Sequence, residues 1–204
     1  MRSPFNHVHL GFALLVALAF TTQTHAWAAV SRNCSDLLKN LDIPKNIQAP
    51  SGQTMHTVYF AKGLQHYSFN GSSWVLYNAT ASLYSINHSN TTKLTVKREV
   101  VGQHYFLEKA DSQGGQPTWE TFVPSTSLVT ARTLSKVSVD DRSITWNLLQ
   151  ATSHSGSGSL LGSVTYLQRI ATMGGLAPTT SAAQLGDVHS SRYSAIYVFY
   201  VSSS

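Results

Sequence analysis

From about residue 50 onward helical periodicity fades, and segments rich in Val, Ile, Tyr, Thr, Phe and Trp recur between Gly, Asn, Asp and Pro. That punctuation is the signature of successive strands. The clearest element is a hairpin, Leu64 to Phe69 and Ser72 to Tyr77, joined at Asn70-Gly71, because Asn-Gly tolerates the positive φ angles of a type I′ turn. In that register Tyr67 faces Trp74; a longer loop would shift the pairing.

Further strands are expected at 93–100, 103–107, 118–123, 128–134, 144–150, 163–172 and 193–201. The last is apolar on both faces, with Tyr193, Ala195, Tyr197 and Phe199 on one and Ile196, Val198 and Tyr200 on the other. It should be buried on both sides, which argues for a sandwich or barrel over one open sheet. The segments 111–117 and 153–159 read as loops from their Gly, Ser and Pro content. Gln-His-Tyr recurs at 65–67 and 103–105, but two copies of a tripeptide establish no repeat.

Before residue 50 the pattern changes. Ser35 to Leu41 reads as a short helix capped by Ser35 or Asp36 and ended before Pro44. Ahead of it come Arg2, an apolar run from Leu10 to Phe20, and small residues near Ala26 and Ala28. This is the layout of a secretory signal peptide, cleaved after Ala26 or Ala28, and the run is too short to span a bilayer comfortably. The expected organisation is a leader over 1–26, an N-terminal segment over 27–50, and a single all-β, mainly antiparallel domain over 51–204. Neither a membrane span nor a C-terminal lipid-anchor signal is visible.

Composition fits a secreted address. Charged residues are only 11% of the chain against 42% hydrophobic, well under the roughly 25% charge of typical globular proteins, so Ser, Thr, Asn and Gln must cover the surface. The net charge of +5 is scattered, with no basic stripe of the kind nucleic acid requires. Sequons occur at Asn33, Asn70, Asn78, Asn87 and Asn90, and the cluster predicts a glycan-covered face. Cys34 is the single cysteine, so no internal disulfide can form; it is a free thiol or the link of a dimer.

Motifs for chemistry are sparse. Gly156-Ser157-Gly158 lacks the Lys-Ser/Thr of a phosphate loop, no Gly-x-Ser-x-Gly elbow occurs, and no two histidines show zincin spacing. No metal or other cofactor is expected. The best carboxylate candidate is Glu120, since the ring of Trp119 beside it could raise its pKa, although a strand-edge Glu paired with a Lys is the plainer reading.

Taken together, Gly102-Gln103-His104-Tyr105, Pro117-Thr118-Trp119-Glu120, Thr145 to Leu149, Val164 to Pro178 and Tyr193 to Tyr200 resemble the domain of unknown function 3455 family. Its members are small, mostly secreted proteins of bacteria, fungi and mosses without an established activity. Some fungal members carry a malate dehydrogenase label, which this chain does not support, lacking a Gly-rich strand-to-helix turn and an alternating β-α pattern. Many relatives have cysteines where this chain reads Ser68-Phe69 and Ala182-Ala183-Gln184, so a bridge open to them is absent here.

The favoured role is a secreted binding or structural protein of the cell wall or matrix, contacting glycans through exposed aromatics such as Trp119. The alternative is a hydrolase or other enzyme on an extracellular polymer, with its site around His104 and Glu120. Convergence of His104, Trp119 and Glu120 with Gln168 and Arg169 on one pocket would favour a ligand or enzyme site.

Overall fold

A computed structural model describes Leu38 and residues 41–88, 94–156 and 160–203. The leader, Asn33, Cys34, Asn90 and most of the expected 35–41 helix lie outside the described residues, and Asn87 is described by its backbone alone. Among the described residues no helix is long and apolar enough to cross a membrane. The N-terminal segment contributes a short 3-10 turn, Lys45–Ile47.

Eight antiparallel strands follow: β1 (Gln53–Phe69), β2 (Trp74–His88), β3 (Leu94–Phe106), β4 (Pro117–Thr121), β5 (Ser127–Val137), β6 (Trp146–Ser155), β7 (Val164–Gly174) and β8 (Val188–Ser202). Each pairs with the next, and β8 pairs with β1 from Gln53↔Ser202 to Ser68↔Val188, which closes an up-and-down barrel. Between the sandwich and barrel alternatives, this pairing decides for the barrel, whose closure leaves no free sheet edge.

Several expected boundaries move. The segments 93–100 and 103–107 are one strand, β3, continuous through Gly102. Gly102 lacks a side chain because a Cβ there would stand 2.3 Å from the Glu120 carbonyl oxygen on β4. Strand β2 runs on to His88 through Asn78-Ala79-Thr80-Ala81-Ser82, where Asn78 and the two alanines have low β propensity and hide the strand from a reading of composition. Ser153 to Ser155, read as loop, finish β6.

The hairpin exists, but its turn has four residues. Phe69 pairs with Trp74 and Tyr67 with Leu76, correcting the expected Tyr67–Trp74 register. Asn70 sets the loop: its Oδ1 accepts from the Ser72 and Ser73 amides at 3.0 and 2.9 Å and from Ser72 Oγ at 2.9 Å. That Asx turn competes successfully with a two-residue turn.

Two apolar layers sandwich the wall formed by β1, β6, β7 and β8. Tyr59, Leu83, Trp119, Val129, Leu167, Tyr197 and Phe199 are among the side chains that fill the barrel. On the outside, Val58, Trp146, Leu148, Ile170, Ile196 and Val198 meet Leu38, Leu41, Ile43 and Ile47 of the N-terminal segment. Strand β8 is therefore buried on both faces, as its sequence required: Tyr197, Phe199 and Val198 are all fully buried.

The two ends of the barrel differ. Where β6 passes to β7, Leu160 and Leu161 turn into the interior and plug it, with the Leu161 amide donating to Ser127 Oγ at 2.8 Å. The opposite end carries the loops after β1, β3, β5 and β7, and there the interior opens.

Candidate functional site

The alternation of a strand places neighbours on opposite faces, and this rule sorts the candidate residues. On β3 and β4, His104 pairs with Trp119 facing inward, while Gln103 pairs with Glu120 facing outward. Glu120 accepts from Gln103 Nε2 at 2.7 Å on the outer surface, so it shares no pocket with His104. On β7, Arg169 points into the barrel and Gln168 away from it.

His104, Trp119 and Arg169 thus meet in one cavity of about 610 Å³, joined there by Tyr197 from β8. The His104 and Trp119 rings stack at 4.5 Å with an interplanar angle of 18°. Tyr197 stands edge-on to Trp119 and tilted against His104, with centroids 5.2 and 5.4 Å away. Leu76, Phe106 and Leu134 line the cavity toward the open end. The expectation of an exposed Trp119 that reaches glycans is corrected: the ring is 1% exposed inside the barrel, because β4 turns it toward the core.

Polar chemistry is concentrated in this interior. His104 Nδ1 bonds the Thr118 carbonyl at 2.8 Å. A carbonyl only accepts, so Nδ1 carries the proton and Nε2 presents a lone pair. Burial presses the His104 pKa down to about 3, with the Arg169 charge adding to the effect and the Thr118 bond opposing it. The ring is neutral at ordinary pH.

Burial likewise raises the Tyr193 and Tyr197 pKa values. Their hydroxyls lie 3.1 Å apart. Two buried donors face these hydroxyls, Trp119 Nε1 toward Tyr197 and Gln65 Nε2 toward Tyr193. Both parent side chains are 1% exposed.

Arg169 donates from Nε and Nη2 to the Thr145 carbonyl at 3.2 and 2.9 Å. Among the described residues the charged side chains lining the cavity are Arg132, Lys136 and Arg169, with no carboxylate. Among the described residues no group of three or more His, Cys, Asp or Glu is placed to hold a metal ion.

Gln168 has a structural task. Its Nε2 donates to the Ile47 carbonyl at 2.6 Å and its Oε1 accepts from Tyr200 Oη at 2.6 Å, tying the N-terminal segment to the outer wall. Of the five residues expected to converge, three do so, and Glu120 and Gln168 do not. Sequence reasoning missed Tyr193, Tyr197 and Gln65 as parts of the interior, and Arg132 and Lys136 as exposed residues at its mouth. The phenols of β8 were visible as its inward stripe, but nothing in the chain marked them as facing His104 across the barrel.

Residues 50–201 match the family described as "Protein of unknown function (DUF3455)". No curated protein matches the chain, and no solved structure does.

Proposed function

We propose that this chain, which belongs to that family of unknown function, is an extracellular binding protein whose barrel holds one small molecule in the cavity at its open end, above the packed His104, Trp119 and Tyr197 rings and beside Arg169. Eight-stranded barrels are wide enough to enclose one small ligand. A volume of about 610 Å³ falls within the range of roughly 300–1,000 Å³ occupied by small-molecule sites. The leader pattern and the sequons support the extracellular setting.

The observation that carries the reading is the cavity itself, about 610 Å³ at the open end of the barrel, lined by the cations Arg132, Lys136 and Arg169 together with Leu76, Phe106 and Leu134. The hydrolase alternative loses its carboxylate, because Glu120 faces outward.

The test is uptake of phenylnaphthylamine, an uncharged fluorescent probe, by the mature protein. One probe per chain is expected, with quenching of tryptophan emission. Leu76→Trp, which fills the mouth from a position 37% exposed, should abolish uptake. Equal uptake by that variant would place the probe elsewhere and refute the proposal.

A further inference from the structure

We infer that the ligand of this cavity is an organic anion, an apolar body bearing one acidic head group. The inference rests on the binding reading above and adds the chemistry of the head. Arg169 is half-buried and directs two donors at a neutral carbonyl, with no carboxylate among the described residues lining the cavity to neutralise it. Desolvating a cation without a counter-charge is unfavourable, and an anionic ligand supplies the missing charge.

The head would lie against the Arg169 guanidinium, the half-buried fixed charge of the cavity lining, with Trp119 and Tyr197 packed behind it. A planar cation with several N–H donors matches the acceptor-only character of an ionised head. His104 adds no charge, since its pKa is far below neutrality. Nearer solvent, Arg132 and Lys136 are both exposed at the mouth, and a rim of one sign draws in ligands of the opposite sign. The Leu76, Phe106 and Leu134 side chains of the same mouth suit an apolar body.

Two probes with the same aromatic skeleton separate this inference from the reading it rests on: anilinonaphthalene sulfonate and phenylnaphthylamine. The sulfonate should bind the mature protein roughly tenfold or more tightly than the amine, the scale of a charge-assisted contact. Arg169→Met should bring the two to parity by weakening the sulfonate alone.

Arg132→Gln combined with Lys136→Gln alters only exposed side chains, and it serves if Arg169→Met fails to fold. It should weaken sulfonate binding at low salt, leave the amine unchanged, and lose its effect at high salt. Equal affinity for both probes, or sulfonate binding indifferent to these variants, would overturn the anion inference while leaving the cavity reading intact. If neither probe binds, the cavity reading falls and the inference falls with it.

Discussion

Gln168→Met tests the assignment of Gln168 as the clasp between barrel and N-terminal segment. Methionine nearly preserves the volume and the unbranched shape, so the change isolates the amide. Two hydrogen bonds are lost, each 2.6 Å long, at about 1 kcal/mol apiece. The Ile47 carbonyl, on a fully buried residue, is then left without its donor, adding about 1–3 kcal/mol. Tyr200 is only partly buried and its hydroxyl can turn to water, so it adds little.

The net expectation is a loss of about 3–5 kcal/mol. For a domain of this size that lowers Tm by about 6–20 °C. Urea unfolding followed by tryptophan fluorescence measures it, with Trp146 in the same outer layer as a reporter. Probe uptake by the folded variant should be unchanged, because Gln168 faces away from the cavity. A loss below about 1 kcal/mol would refute the clasp, as would intact stability with abolished uptake.

Leu161→Ala should cost about 2–5 kcal/mol, since a fully buried plug is removed from a packed end; a midpoint close to the parent's in denaturant would show that the plug is dispensable. His104 gives a pH dependence. Its folded pKa, about 3, lies below the ordinary value of about 6.5, so its stabilisation is complete above the unfolded pKa and is lost as pH falls toward 3. The loss runs at about 1.4 kcal/mol per pH unit across that window, and His104→Phe should flatten this acid limb; parallel slopes for the two proteins would contradict the assignment. Expressed in a eukaryotic secretory host, the exposed Asn70 should carry a glycan, and half-buried Asn78, whose Oδ1 binds the Ala79 and Phe106 amides at 2.8 and 3.1 Å, should not. Peptide mapping before and after glycosidase treatment decides between them.

Much of the fold was legible in the chain because it depends on local pattern. The stripes of β8 specified burial on both sides, and Asn70-Gly71 marked a reversal. What escaped was whatever a second strand had to supply. The Asn70 side chain chose a four-residue loop over the expected turn, and Ala79, Ala81 and Leu83 became core only through pairing within the barrel.

The site divides along the same line. Sequence picked out His104, Trp119 and Arg169 by residue type and by likeness to a family, and it grouped them with Glu120 and Gln168 because adjacent letters look like adjacent groups. In a strand adjacent residues point to opposite faces, so one member of each pair entered the barrel and the other left it. By itself the sequence determined a β domain with an apolar final strand and no internal disulfide. Only closure between β1 and β8 decided that Arg169, two phenols and the Trp119 indole share one interior, with Arg132 and Lys136 at its mouth, because that depends on register summed around all eight strands.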